Sequence, residues 1–144
     1  MPGVKWTQAD LDAHRAKLQP GIITPVKVNK ADAKLEKQLE SMVENYLRVN
    51  EYEFLHLSFR SREKKGWPDI STVINGVPLF IELKSATGKL SEDQIRVLAK
   101  LKDQGAWVVV ATTFEEVHRV IEKARRMPHE SSAGLDVSML EKSG

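Results

Sequence analysis

The chain has 144 residues, 41% of them hydrophobic and 29% charged, a balance that suits one globular domain with a single core. A formal net charge of +2 does not by itself announce a polyanionic partner, and no apolar run reaches the ~20 residues that span a bilayer, so no membrane association is expected. Cysteine is absent, which removes disulfides and thiolate metal sites and fits a reducing cytosol.

The start of the chain lacks the charged and apolar regions of a secretory leader. Residues 1–30 read as an N-terminal appendage. "TQADLDAHRAKL" predicts a short helix with Thr7 as N-cap, stopped at Gln19-Pro20-Gly21, and "IITPVKV" predicts an extended arm. No chemistry is expected there. From Ala31 to Asn50, Leu35, Leu39, Met42, Val43, Tyr46 and Leu47 recur at helical spacing and predict an amphipathic helix. "EFLHLSF" alternates as a strand does, and "RSREKKG" follows as a basic loop. "DISTVI" and "PLFIELK" flank Asn75-Gly76, a strong signal for a two-residue hairpin turn.

Ser91 opens a helix that reaches Gln104 and stops at Gly105. "WVVVAT" is a continuous apolar run, the pattern of a strand buried on both faces. Thr113 and Glu116 have the spacing of a capping box, beginning a helix with Val117, Val120, Ile121 and Ala124 inside and Pro128 at its end. Residues 128–144 read as a polar, flexible tail. The order helix, three strands, helix, strand, helix predicts an α/β core over residues 31–127, with a central mixed β-sheet flanked by helices.

The hairpin register brings chemistry together. With a two-residue turn, Ile74 faces Val77, Ile70 faces Ile81 and Asp69 faces Glu82. Two carboxylates then lie side by side, with Lys84 on the same side two residues on. Like charges in that position repel unless a cation separates them, and hard Mg²⁺ or Mn²⁺ suits a carboxylate pair. The alternative is a solvated hairpin face on which Lys84 offsets the two acids. At about 100° per residue, Glu36 falls inside the apolar stripe of its helix, Glu40 at the border and Glu44 outside it. Gln94 lies in line with Leu98 and Leu101, but Ser91 and Gln94 also have capping-box spacing, and one amide is not expected to serve both roles. Arg60, Arg62, Lys64 and Lys65 form a basic loop able to hold phosphates, or merely a solvated one. Trp67 either stacks on a base or sugar or covers the hairpin.

Two further signals point away from other chemistries. "ATGKLS" superficially resembles a P-loop, but it lacks the first glycine and is not expected to link a parallel strand to a helix in the required way. His14, His56, His118 and His129 are scattered without a His-x-x-x-His pair, which argues against a zinc site.

Pro68-Asp69 followed by Glu82-Leu83-Lys84 resembles the PD-(D/E)xK signature of restriction-endonuclease-like nucleases. The wider series "EKQLESMVENYL", "GWPDI", "IELKSATGKLSEDQ" and "LKDQGAWVVVAT" resembles the VRR-Nuc branch, small nucleases of phages and bacteria, over roughly residues 33–121. The resemblance implies a restriction-endonuclease-like core of order αβββαβα. It implies a Mg²⁺- or Mn²⁺-dependent endonuclease acting on duplex or branched DNA, such as a Holliday junction or flap, and often working as a homodimer. The setting implied is the cytoplasm of a bacterial or phage-infected cell.

Residue by residue, the resemblance implies metal binding by Asp69, Glu82, Glu36 and the backbone carbonyl of Leu83, with Glu40 a near rival to Glu36. Lys84 would assist the attacking water and Gln94 would support the site. Arg60, Arg62, Lys64, Lys65, Trp67 and Lys89 are the candidate nucleic-acid contacts. Two rivals stand beside this reading: a binding or assembly module that keeps the fold without catalysis, and a ribonuclease.

Overall fold

The computed structural model describes residues 5–19, 30–57 and 65–128. Its elements are α1 (Gln8–Leu18), α2 (Lys30–Val49), β1 (Phe54–His56), β2 (Ile70–Ile74), β3 (Val77–Leu83), α3 (Glu92–Asp103), β4 (Trp107–Ala111) and α4 (Phe114–Arg125). The four strands form one mixed sheet in the order β1-β2-β3-β4. The first three are antiparallel neighbours, and β4 runs parallel to β3. The expected α/β architecture, a mixed sheet flanked by helices, is the one observed.

The hairpin forms in the expected register, with Ile74 opposite Val77 and Ile70 opposite Ile81. Asn75 and Gly76 have φ of 51° and 79°, as a type I′ turn requires of both central residues. The Asn75 side chain has a second use. Its amide donates to the carbonyls of Ala124, Arg125 and Met127, which lie at the end of α4 where helical partners run out.

One face of the sheet carries Ile70, Ile74, Leu79, Ile81, Leu83 and Ala111 into a core with Leu39, Val43 and Leu47 of α2 and Val117, Ile121 and Ala124 of α4. Near β4 the other face packs Val108 and Val110 against Ile95 and Leu98 of α3 and Leu11 of α1.

Several expectations need correction. The apolar stripe of α2 is wider than its buried face: Leu35 and Met42 are 58% and 52% exposed, because the sheet covers only the line through Leu39, Val43 and Leu47. The strand expected over 53–59 is described only over Phe54–His56. Strand β4 has helices on both faces but lies at the sheet edge, so only Ala111 is fully buried. β3 does run parallel to β4 and leads into α3, but Leu83 stands where the first glycine of a P-loop would be and Leu90 follows Lys89 where the motif needs Ser or Thr, so residues 86–91 are not a P-loop.

The N-terminal helix is not a detached appendage. Thr7 and Asp10 cap it reciprocally, Leu11 is buried against α3, and Trp6 and Leu18 pack beside it. Its C-cap, Gln19, is 6% exposed and binds the loop that follows β3: Nε2 donates to the Gly88 carbonyl at 2.6 Å, and Oε1 accepts from the Leu90 N–H at 3.0 Å. Arg15 adds a bond to the Leu90 carbonyl. The expected extended arm lies within residues 20–29 and the expected tail begins at residue 128; apart from Pro128, both lie outside the described residues.

Replacing Gln19 by Ala strands a buried donor and a buried acceptor of the 85–90 loop. The expected cost is about 2 kcal/mol or more in urea-melt stability, against under ~0.5 kcal/mol for Lys17→Ala on the exposed side of the same helix.

Candidate active site

The site lies at the end of the hairpin remote from its turn. Asp69 stands immediately before β2, so the register that pairs Ile70 with Ile81 brings it against the Glu82–Leu83 segment. Asp69 Oδ2 accepts from the Leu83 backbone N–H at 2.8 Å, which locks the carboxylate onto β3. Asp69 is half-buried, and Glu82 is 2% exposed.

Glu82 is a carboxylate with incomplete support. Its Oε1 accepts from Gln94 Nε2 at 2.7 Å and lies 3.5 Å from Lys84 Nζ. Its Oε2 is buried and has no hydrogen-bond partner among the described residues. A buried, unpartnered carboxylate oxygen is costly, and it is also where a cation finds a ligand ready. Burial, then the Asp69 charge beside it, push the Glu82 pKa up to about 8, with Lys84 opposing. Asp69 is also raised, chiefly by burial; the Leu83 N–H and Lys84 act against that, and Glu40 adds to it.

Gln94 corrects an expectation. Its Oε1 accepts from the Ser91 N–H at 2.9 Å while the Ser91 hydroxyl accepts from the Gln94 N–H, completing the capping box. Its Nε2 is left to hold Glu82. The two ends of one amide divide the roles, so capping α3 is what aims the donor at the site.

The segment that carries Asp69 is pinned to the same helix turn. Gly66 has φ of 86°, and a Cβ there would stand 2.3 Å from the Asp93 carbonyl carbon, so glycine alone permits this approach. Lys65 and Lys89 are exposed. Trp67 Nε1 donates to the Ser71 hydroxyl and the ring stands edge-on to Phe80 at 5.5 Å, which favours hairpin cover over stacking on a base. Arg60, Arg62 and Lys64 lie outside the described residues.

Helix α2 supplies acids from the other side. Glu36 Oε2 accepts from the Ser85 N–H at 3.2 Å, one residue beyond Lys84. Glu40 is one of the charges that raise Asp69, and it also meets His56 Nε2, whose other ring nitrogen faces Glu44. Sequence reasoning passed over this Glu40–Glu44–His56 group. The signal was two glutamates four apart on one helix face, but the imidazole reaches them from a strand, so a search for paired histidines could not find it.

The described residues thus place Asp69, Glu82, Lys84 and Gln94 in one cluster, with Glu36 held beside its next residue. The donor set fits a hard divalent cation: two carboxylates that repel each other, one with an oxygen left over among the described residues, and Lys84 beside them. No helix among the described residues is long and apolar enough to cross a membrane.

Comparison with known proteins bears on the same span. The family model described as the VRR-NUC domain matches residues 3–115, a range that takes in α1, the Asp69–Lys84 cluster and Gln94. A solved structure titled "VRR_NUC domain" is similar at 26% identity and a TM-score of 0.51, covering 61% of this chain and 95% of its own. No curated protein matches the chain.

A pH series on metal-free protein probes the carboxylate pair. Unfolded, Glu82 ionises near its ordinary value; folded, it keeps its proton until about pH 8. The folded state therefore binds more protons between those values, and stability falls as pH rises from about 4.5 to 8. Melting temperatures of wild type should drop across that window, and Glu82→Gln should reduce the drop.

Proposed function

The chain belongs to the VRR-NUC family, a nuclease-type domain, and from that premise we propose that it is a Mg²⁺- or Mn²⁺-dependent endonuclease that hydrolyses phosphodiester bonds in DNA. The observation that carries the reading is the pairing of half-buried Asp69 with buried Glu82, whose Oε2 is unpartnered among the described residues, and Lys84 beside it. Asp69, Glu82 and the Leu83 carbonyl would hold the ion, with Glu36 as the acid contributed by α2. A bound divalent ion supplies Lewis-acid stabilisation of charge at the scissile phosphate and makes water a better nucleophile.

The protein's own groups set that chemistry up. Gln94 and the Leu83 N–H fix the two carboxylates before any cation arrives, so little reorganisation is needed on binding. Lys84, 16% exposed and 3.5 Å from Glu82, would put a cationic group beside the attacking water and the charge that builds up on the phosphate. It orients the water or offsets that charge, without needing to accept a proton. Ionising Glu82 is a precondition for metal, so affinity should rise with pH up to about 8.

Lys65 and Lys89 are exposed, and with Arg60, Arg62 and Lys64 of the basic segment they are the proposed phosphate contacts. Trp67 joins them as a contact of the DNA backbone rather than as a stacking platform. Branched DNA, a Holliday junction or a flap, is the proposed substrate shape, and cutting two strands takes two such sites, which a homodimer supplies.

Cleavage assays on plasmid, single-stranded, flap and four-way-junction DNA, with an RNA control, test the reading. Activity is expected in Mg²⁺ or Mn²⁺ and none in chelator. Asp69→Asn and Glu82→Gln should each lower turnover by at least about 10²-fold while the fold persists. Lys84→Ala should slow the chemical step with metal affinity nearly kept, and Lys84→Arg should not fully restore it. Glu36→Gln should cost more activity than Glu40→Gln. A folded wild-type protein that binds DNA but cuts nothing would favour the non-catalytic module.

A further inference from the structure

Beside the nuclease cluster lies a second group of metal-ligating side chains that the proposed reaction does not use. Glu40 and Glu44 are one turn apart on α2 and point to the same side, and His56 reaches them from β1. Donor atoms from the three residues all lie within 4.8 Å of one another. Glu40 faces the Nε2 side of the ring and Glu44 the Nδ1 side. The three side chains are 22–28% exposed, so they are partly dried yet reachable by an ion and its waters.

Charge balance at the ring makes the arrangement informative. A neutral imidazole has one N–H and one lone pair. Flanked by a carboxylate on each side, it can satisfy one and must repel the other. A metal ion at the remaining nitrogen removes that repulsion. Glu40 is also close enough to Asp69 to act on it electrostatically, which adds to the negative charge on this flank. A divalent cation balances that group better than a single proton does.

We propose that Glu40, Glu44 and His56 form a transition-metal site distinct from the Asp69–Glu82 pair. His56 Nε2 and Glu40 act as protein ligands, and Glu44 fixes the ring through Nδ1–H. A carboxylate on the far nitrogen sets the tautomer that leaves Nε2 free to coordinate. An imidazole ligand selects ions such as Co²⁺, Ni²⁺ or Zn²⁺ over Mg²⁺ and Ca²⁺, which take oxygen. The ion takes the lone pair of Nε2 and a Glu40 oxygen, so no redox partner is involved.

Metal binding alone tests the site, so its failure is separable from a failure of the nuclease reading. The full chain carrying Asp69→Asn and Glu82→Gln, which disables the carboxylate pair, is titrated with Co²⁺ by calorimetry. About one Co²⁺ per chain should bind, with no comparable heat from Mg²⁺ or Ca²⁺. Adding His56→Gln should weaken Co²⁺ at least 10-fold, and adding Glu44→Gln roughly 10- to 100-fold. A readout that needs no change at His56 is paramagnetic broadening of histidine ring signals in the same background: His56 should broaden before His14, His118 and His129. No Co²⁺ binding in that background, an unchanged affinity on adding His56→Gln to a folded protein, or broadening that begins at another histidine would overturn the site and leave His56 a hydrogen-bonding partner of two glutamates.

Discussion

Two carboxylates are forced together in a place with too little water to separate them. Asp69 and Glu82 meet because a type I′ turn at Asn75-Gly76 fixes a register that a one-residue slip would destroy. The sheet then buries Glu82 almost completely. A fold that gained only from burying apolar surface would not retain such a pair, since the charged form of each acid opposes that of the other. The surrounding structure holds the conflict in place. Gln94 and the Leu83 N–H support one oxygen on each acid, Lys84 supplies one positive charge, and Glu82 Oε2 is left without a hydrogen-bond partner among the described residues. What remains is a net negative acid pair with an oxygen to spare, which a divalent cation would neutralise.

The rest of the molecule serves to keep that arrangement rigid. Helix α3 is capped by the same glutamine that holds Glu82, so helix formation and site assembly are one event. Gly66 lies against the first turn of α3, which ties the strand bearing Asp69 to the helix bearing Gln94. Helix α1 reaches the site from behind through Gln19, which binds both ends of the segment from Gly88 to Leu90. On the other flank α2 brings Glu36 to the Ser85 N–H. Rigid support of this kind is what electrostatic catalysis needs, since donors fixed before reaction need not reorganise during it.

Much of this was legible in the residues. The hairpin signal, the capping residues and the strand alternation located every element between α2 and α4, and with them the juxtaposition of Asp69, Glu82 and Lys84. The hidden parts share a physical character. Whether Leu35 and Met42 are buried depends on how wide a face the sheet covers, which a helical wheel does not state. The packing of α1 depends on Leu11 and Gln19 finding α3 and the 85–90 loop some seventy residues on, contacts with no local pattern. The division of Gln94 between cap and carboxylate was missed because its two ends were treated as one group. His56 escaped notice because ligand spacing was sought within one segment, whereas its partners lie on the preceding helix.

The most direct test of the central claim counts protons. If the Asp69–Glu82 pair is held for a cation and Glu82 carries a proton near neutrality, then Mg²⁺ must displace it on binding. Calorimetric Mg²⁺ titrations at pH 7 in buffers of different ionisation enthalpy measure that release, with Glu82→Gln as control. The expected result is release of close to one proton per ion in wild type, diminishing as pH is raised past about 8. Mg²⁺ binding with no proton release, or equal binding by Glu82→Gln, would contradict the account.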